Sequence, residues 1–260
     1  MKQSIREFAL SLGVDDIGFA SVAAYSSPRS PSIESISPDI KTIIVLAYKE
    51  LASCASQDTE VAMSGRQAIY EFARAANYRV GRFLESQHNG KAFTVSAANP
   101  MAMLKETGGA VGQVSLRHAA YAAGLGVFGS HNLIIHPRFG TRVIFSAVLT
   151  NLELPPDTPL IDELCNDCDL CVEACPARAL DEKGKTEVNE CFKKSMPYGL
   201  GGNIAFWRKV LAASPDEQKS LLTSVDYWRF YQSVLVGNQY YCFNCMSVCP
   251  IGVTENSAKL

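Results

Sequence analysis

The spacing of the cysteines indicates the chemistry of this chain more clearly than any other feature of the sequence. The 260 residues include nine cysteines, of which Cys54 stands alone and the other eight fall between positions 165 and 249. In a reducing compartment such a cluster indicates metal binding rather than disulfides, whereas a solitary cysteine is typical of a buried thiol. The eight form two motifs joined by a single cysteine: Cys165-x2-Cys168-x2-Cys171-x3-Cys175-Pro176, then Cys191, then Cys242-x2-Cys245-x3-Cys249-Pro250.

The first motif has the spacing with which bacterial two-cluster ferredoxins hold [4Fe–4S] clusters. In that arrangement three closely spaced thiolates hold one cluster, and the cysteine before proline reaches across to the other. Two structural zinc sites are the alternative, because four-cysteine sets with short spacings also suit tetrahedral zinc. Two adjacent clusters would form a short electron-transfer path, along which single electrons move at low potential. The crossing rule predicts two complete sets of ligands: Cys165, Cys168, Cys171 and Cys249 for cluster one, and Cys175, Cys191, Cys242 and Cys245 for cluster two.

Bulk composition argues against several other classes of protein. The formal net charge is −2 and there are four histidines, so neither a nucleic-acid partner nor a histidine-rich metal site is expected. No segment reaches the roughly 18 consecutive apolar residues that a membrane span requires. The first residues lack the apolar core of a secretory signal. We therefore expect a cytoplasmic protein with no nucleic-acid partner and no membrane partner.

Helical and strand patterns alternate over the first 150 or so residues and predict an α+β fold. The clearest helix runs from Ser64 to about Gln87, where apolar residues repeat at helical spacing. Thr42 to Tyr48 is an almost continuous apolar run, which is typical of a strand buried on both faces. The other expected elements are helices over residues 2–12 and 115–123 and strands over 14–22, 93–97, 133–136 and 141–150.

The composition changes at Leu154–Pro159, a proline-rich stretch that predicts a stiff linker. We expect a domain on either side of it, spanning residues 1–153 and 154–260. The second is the cysteine module, interrupted by a helical insertion over about residues 193–240, in which Ser214-Pro215 begins a helix. The insertion is rich in aromatic side chains that either pack in a helical core or form a lid over a cavity: Trp207, Tyr227, Trp228, Phe230 and Tyr231.

Several stretches along nearly the whole chain carry a family resemblance. They are Leu12–Phe19, Tyr78–Val80, Ala123–Gly129, Phe139–Val143 and Val148–Asn151, together with a solitary Cys191 sixteen positions after Cys175. With the order of an α/β domain before a two-cluster module, these stretches resemble epoxyqueuosine reductase and its relatives, the corrinoid-dependent reductive dehalogenases. The resemblance implies a nitroreductase-like α/β sandwich followed by a bacterial ferredoxin-like module with two [4Fe–4S] clusters.

The same resemblance implies a cobalamin-type corrinoid bound between the two domains. Low-potential electrons from the clusters would reduce its cobalt for reaction with a small organic substrate, and an external donor such as ferredoxin or flavodoxin would supply them. Two alternatives stay open: an electron-transfer protein or reductive activator of a corrinoid protein without its own substrate, and a flavin-dependent reductase. The residues expected at the cofactor are Gly124, Gly126, Gly129, Ser130 and Arg142, the glycines because they allow close backbone approach to a flat cofactor.

Three further side chains are candidates for catalysis. His131 follows the glycine motif and titrates near neutral pH, which favours a proton donor, with a loop histidine bonded to backbone as the alternative. Tyr78 on the long helix is a second candidate proton donor, with core packing as its alternative. Arg117 is expected to meet a corrinoid amide or a substrate anion, or else to form a salt bridge at the surface.

Two departures from the family pattern bear on the substrate. Gly108–Gln113 holds no carboxylate in register with the family's acidic proton donor, and the nearest one is Glu106. Ser130-His131 replaces the family's Lys-Asn. These differences argue against epoxyqueuosine itself as the substrate, and the sequence names neither another substrate nor an oligomeric state.

Overall fold

The computed structural model describes residues 1–95, 111–161, 163–236 and 241–252. The predicted strand end at Ala97 and the segment with Glu106 and Gly108 therefore lie outside the described residues. Within the described part of the chain, no helix is long and apolar enough to cross a membrane.

An antiparallel sheet forms the centre of the fold. The strands of the described residues are β1 (Asp16–Ser21), β2 (Thr42–Lys49), β3 (Ala92–Val95), β4 (Val127–Phe128), β5 (Ile134–Ile135) and β6 (Val143–Thr150). Four of them form one sheet in the order β1-β2-β6-β3, and β4 pairs with β5 in a separate hairpin. The helices of the described residues are α1 (Lys2–Ser11), α2 (Thr59–His88), α3 (Leu116–Ala122), α4 (Leu170–Glu173), α5 (Val188–Ser195), α6 (Leu200–Ala212), α7 (Pro215–Leu222), α8 (Val225–Val236) and α9 (Asn244–Ser247).

The central position of β2 follows from its sequence. Every residue from Thr42 to Tyr48 is buried. In the middle of the strand, Ile44 pairs with Phe19 of β1 on one side and with Val148 of β6 on the other. A strand with apolar side chains in both directions has no polar face to show to water, so both of its faces must be covered. The prediction of a strand buried on both faces is confirmed.

Helices cover both faces of the sheet and give a three-layer arrangement. Ile5 of α1 and Leu84 of α2 pack with Ile44 in the core on one face. Ala119 of α3 packs with Val45 in the core on the other face. Ile44 and Val45 are successive residues of β2, and successive side chains of a strand point to opposite faces. The mixed α+β fold is therefore confirmed.

The long helix α2 begins earlier than its apolar pattern predicts. Asp58 caps it, because its side-chain Oδ1 accepts a hydrogen bond from the backbone N–H of Val61 at 2.9 Å. The helix ends at Asn89, whose φ of 51° is left-handed, as is common directly after a helix. Tyr78 lies on the outer face of α2 and is 65% exposed, so the core-packing interpretation is wrong for this side chain.

Helices α5 to α8 occupy the stretch in which the sequence predicts a helical insertion. Ser214 and Glu217 form a capping box at the start of α7, where the Ser214 backbone N–H donates to Glu217 at 2.9 Å. Phe206, Val210 and Phe230 form a small buried core between α6 and α8. This core stabilises the insertion from within.

Other aromatic side chains of the insertion lie outside that small core. Trp207, Trp228 and Tyr231 are 43%, 58% and 49% exposed. Helix-core packing is therefore wrong for these three, although Tyr227 and Phe230 do pack in or against the core.

The proline-rich stretch after β6 is tied to the first domain and does not act as a free spacer. The Asp157 carboxylate pairs with Lys2 at 2.6 Å and with Arg6 at 2.8 Å, and it accepts the backbone N–H of Phe19 at 3.0 Å. Leu154 is buried in the core that α1 and α2 cover. The predicted linker is corrected accordingly: at least up to Asp157 it packs against β1.

Candidate iron–sulfur site

The first set of cysteines meets at one pocket. Cys165, Cys168 and Cys171 of the first motif line one pocket together with Cys249 of the second motif. The crossing rule assigns this same set of four to cluster one. The structure thus brings together side chains that lie in two separate parts of the sequence.

The loop of the first motif curls because two aspartates adopt left-handed backbone conformations. Asp167 and Asp169 have φ values of 53° and 56°. Aspartate tolerates this conformation better than most residues, because its short side chain bonds locally. Asp167 is held by Ser130, whose Oγ donates to Oδ1 at 3.0 Å, and by an ion pair with Lys183. These contacts fix the turn from which Cys165 and Cys168 project.

The second set of cysteines also lies close together. Burial, together with the nearby Cys242, Cys191 and Cys175, raises the pKa of the Cys245 thiol to about 12, because neighbouring thiolates repel one another. Burial likewise raises the pKa of Cys191, with Cys242 and Cys175 adding to it. The Ala179 backbone N–H donates to Cys175 Sγ at 3.3 Å, the type of contact that tunes iron–sulfur sites.

Both sets have the donor chemistry of [4Fe–4S] clusters. Buried thiols that crowd one another become thiolates only when a cation takes up their charge, and iron does so. No three His, Cys, Asp or Glu side chains in the described ranges stand together in a way that would hold a single metal ion. Four sulfurs around one pocket and four close together beside it fit a pair of clusters.

The turn between β5 and β6 holds the end of the second motif. The Arg142 guanidinium donates to the backbone carbonyl of Ser247 at 3.0 Å and to that of Cys249 at 3.2 Å. Thr141 Oγ1 donates to the Met246 carbonyl at 2.9 Å. The sequence predicts that Arg142 binds a cofactor. In the structure its guanidinium instead forms hydrogen bonds with the loop that carries Cys249.

A second anchor was missed by sequence reasoning. Arg66 of α2 lies over the ring of Phe243 at 3.4 Å, and Phe243 stands between Cys242 and Cys245. The same guanidinium pairs with Glu50 at 2.8 Å, and both side chains are almost completely buried. No local pattern indicates this contact, since the partners come from distant parts of the chain.

The glycines of the motif before β4 approach the protein's own backbone. A Cβ on Gly124 would lie 2.5 Å from the Thr158 carbonyl oxygen, and one on Gly126 would lie 2.4 Å from the Ile135 carbonyl oxygen. A Cβ on Gly129 would lie 2.7 Å from the His131 ring. Close packing of the protein's own chain thus accounts for glycine at these positions, and a role at a flat cofactor stays a prediction.

Ser130 and His131 both line the cysteine pocket. Ser130 is 4% exposed, and its Oγ lies 3.4 Å from Cys165 Sγ. His131 is 3% exposed, and its Nδ1 accepts the backbone N–H of Leu133 at 3.0 Å. Burial lowers the pKa of His131 to about 4, so the ring is neutral at pH 7. The backbone-bonded histidine of the sequence interpretation is present, and the proton-donor role stays a prediction.

The other two catalytic candidates are separated from this pocket's lining. Arg117 is largely buried and donates through Nη1 to the Asn132 carbonyl, so it supports the turn that carries His131. Burial lowers the pKa of Arg117, the nearby Arg29 charge adds to this effect, and no carboxylate of the described residues pairs with it. Tyr78 is exposed on α2. Their catalytic roles remain untested predictions.

Comparisons with known proteins agree with the site. A family model described as a 4Fe-4S binding domain matches residues 159–181, which contain the whole first motif. Fold and site together define an iron–sulfur protein with a ferredoxin-like [4Fe–4S] segment. More particularly, the chain resembles epoxyqueuosine reductases: that of Bacillus subtilis (strain 168) is 25% identical over 96% of this chain.

Solved structures support the same relationship. Epoxyqueuosine reductase with an epoxyqueuosine-modified tRNA-Tyr stem loop has a TM-score of 0.63 at 21% identity, covering 96% of this chain and 65% of that one. A reductive dehalogenase studied for B12-dependent dehalogenation has a TM-score of 0.57 at 17% identity, covering 89% of this chain and 36% of that one. The predicted resemblance to this superfamily is confirmed. The chain spans 63% of the length of the Bacillus subtilis relative.

One group of expectations is overturned by these comparisons. A small-molecule substrate and the absence of a nucleic-acid partner were predicted from the weakly negative charge and from the resemblance. A protein with the same fold over 96% of this chain is solved with a tRNA stem loop. Net charge says little about a local binding surface, so the prediction was wrong to exclude nucleic acid.

Proposed function

We propose that this chain is an iron–sulfur reductase that passes single electrons through two [4Fe–4S] clusters. Cys165, Cys168, Cys171 and Cys249 would hold cluster one. Cys175, Cys191, Cys242 and Cys245 would hold cluster two. When bound, such clusters supply one-electron transfers at potentials that extend far below zero.

One observation carries the proposal. Cys249 follows Cys171 at a long distance in sequence, yet it lines the same pocket as the three cysteines of the first motif. This interleaving is the pattern of two-cluster ferredoxins, in which the cysteine before proline serves the other cluster. Single-motif metal sites do not need it.

The protein's own residues would position the two clusters relative to the sheet. Arg142 and Gly140 hold the loop of Cys249, Arg66 holds Phe243 beside Cys242 and Cys245, and Ser130 with Lys183 holds the turn at Asp167. Rigid support of this kind favours electron transfer, because ligands that do not move cost little reorganisation. We further propose that residues 1–153 form a nitroreductase-like domain and residues 154–260 the cluster domain.

The acceptor of the electrons is a finer part of the proposal. A corrinoid is favoured by the B12-dependent dehalogenase with the same fold. The residues predicted to hold it make close contacts within the protein itself, and their role at a corrinoid stays a prediction: Gly124, Gly126, Gly129, Ser130 and Arg142. The first candidate substrate to test with this protein is a modified tRNA of the kind bound by the structural relative.

The experiment is anaerobic reconstitution of the full chain with iron and sulfide. We expect about eight irons and eight sulfides per chain and the spectra of two reduced clusters. Cys249→Ser is expected to lose the signal of cluster one. Cys54→Ser is the matched control, because Cys54 is buried in the core beside α2 and belongs to neither predicted set of ligands.

Three results would contradict the proposal: iron and sulfide near zero, zinc in their place, or equal loss of iron in Cys54→Ser and Cys249→Ser. Cobalamin and flavin are then offered separately to the reduced protein. A visible spectral change with cobalamin supports the corrinoid acceptor, and retention of flavin alone rejects it. Reduction of a modified tRNA is scored in the same preparation.

A further inference from the structure

His131 is held in one tautomer by its backbone contact. Its Nδ1 lies 3.0 Å from the backbone nitrogen of Leu133. A backbone N–H can only donate, so Nδ1 must present its lone pair. In the neutral ring the single proton is therefore on Nε2, and Nε2 is a hydrogen-bond donor.

The Nε2–H of His131 is buried without an acceptor. The side chain is 3% exposed, and among the described residues Nε2 has no hydrogen-bond partner. A buried donor without an acceptor is costly and is rare in native proteins. The protein therefore lacks a group that belongs beside this atom.

A second histidine makes the contrast clear. His136 also accepts, through Nδ1, the backbone N–H of the residue two positions later, Arg138, at 3.1 Å. Its Nε2, however, lies 3.3 Å from the Asp16 carboxylate. The two rings have the same local geometry, and of the two only His136 has a carboxylate within ion-pair distance of Nε2.

The missing acceptor is indicated by the pocket. His131 lines it together with Cys165, Cys168, Cys171 and Cys249. Ser130 is not a competing donor, because its one hydroxyl proton is directed to Asp167 Oδ1 at 3.0 Å. The sulfurs of a cluster in this pocket would carry negative charge and would accept a hydrogen bond from a donor beside them.

We propose that His131 Nε2–H donates a hydrogen bond to a sulfur of cluster one and thereby raises the reduction potential of that cluster. The proposal rests on the proposed function, since it requires the cluster. Its physical basis is that reduction adds one negative charge, and a donor at sulfur stabilises the more negative state. His131 is thus a positioning and tuning residue for the cluster. Because burial lowers the pKa of its ring to about 4, the donor is a neutral N–H at pH 7.

Two substitutions separate the two ring nitrogens. His131→Asn retains an acceptor near the position of Nδ1 and removes the donor at Nε2. His131→Gln retains a donor near the position of Nε2. His136→Asn is the matched control, because it removes the ε nitrogen of a buried histidine that does not line the pocket.

The measurement is a redox titration of the reconstituted full chain, followed by electron paramagnetic resonance, with iron content determined for each variant. Cluster one is identified as the signal that Cys249→Ser alters. We expect His131→Asn to shift the equilibrium toward the oxidised cluster about tenfold, which is about 59 mV for a one-electron couple. His131→Gln and His136→Asn should stay close to the unsubstituted chain.

Two outcomes overturn the inference: an unchanged potential in His131→Asn at full iron content, or the same shift in His131→Asn and His131→Gln. The second outcome would mean that loss of the imidazole ring, and not loss of the donor at Nε2, changes the potential. Absence of clusters in the unsubstituted chain contradicts the proposed function instead, so the two failures are distinguishable.

Discussion

At the scale of single residues, the Glu50–Arg66 pair gives a sharp prediction. The two side chains are 5% and 3% exposed, and Arg66 also lies over Phe243 of the second motif. Glu50→Gln would leave the Arg66 charge buried without its partner, so we expect the free energy of unfolding to fall by about 3 kcal/mol. Urea unfolding under anaerobic conditions measures this, with cluster absorbance as a second probe.

An exposed ion pair on α2, the helix that carries Arg66, is the control for that prediction. Arg82 and Glu85 pair at 2.7 Å but are 59% and 39% exposed. Glu85→Gln should therefore change the free energy of unfolding by less than about 1 kcal/mol. Equal effects of Glu50→Gln and Glu85→Gln would show that burial of the first pair is not what stabilises the anchor.

Residue roles could be predicted from sequence only where the signal is local. Cys165, Cys168 and Cys171 are separated by two residues each, so their spacing alone indicates a shared cluster. Arg142 and Arg66 act on Cys249 and Phe243, which lie far along the chain, and nothing in their own neighbourhood shows those contacts. The same is true of His131, whose unpartnered Nε2 is visible only once the turn is folded.

At the scale of elements, periodicity predicted α2 and β2 well but not every side chain on them. Tyr78 lies two positions before buried Val80, which at 100° per residue places the two side chains about 160° apart around the helix. Tyr78 is accordingly exposed. The start of α2 was missed because the cap at Asp58 precedes the apolar stripe. The apolar pattern of the sequence predicts that a helix or strand is present, whereas capping residues and turns determine where it begins and ends.

The turn between β5 and β6 gives a prediction at this scale. Gly140 has a φ of 59°, and a Cβ there would lie 1.8 Å from the Ile251 carbonyl oxygen, two residues after Cys249. Gly140→Ala should push this loop away from the pocket, and iron per chain should fall from about eight toward about four as cluster one is lost. Iron analysis and the spectra of the reduced protein measure this.

Gly184→Ala is the control for Gly140→Ala, because it introduces backbone strain without a steric clash. Gly184 also has a positive φ, 73°, but a Cβ there would meet nothing within 4 Å. Alanine at a left-handed position costs about 1 kcal/mol in either place. If Gly184→Ala lost as much iron as Gly140→Ala, strain rather than docking of the Cys249 loop would be responsible.

At the scale of the whole molecule, the two halves depend on different sources of stability. The sheet is covered on both faces by extensive apolar cores built from residues before position 155. The core of the described insertion helices is far smaller, formed around Phe206, Val210 and Phe230. Where thiolate loops fold around a metal centre, the free energy of metal binding is largely the free energy of folding. The cysteine loops should therefore depend on iron, and the sheet should not.

Removal of iron from the intact chain tests this difference. After oxidation and chelation, we expect amide protons of β2 and β6 to stay protected from hydrogen exchange, because both strands are central in the sheet. Amides of α4 and α9, which lie within the two cysteine motifs, should exchange rapidly. The amides of Leu154 and Asp157 should behave like those of the sheet, because Leu154 is in its core and Asp157 bonds to β1. Reconstitution with iron and sulfide should restore protection of α4 and α9, whereas simultaneous exposure of sheet and cysteine loops would show that both halves unfold as one unit.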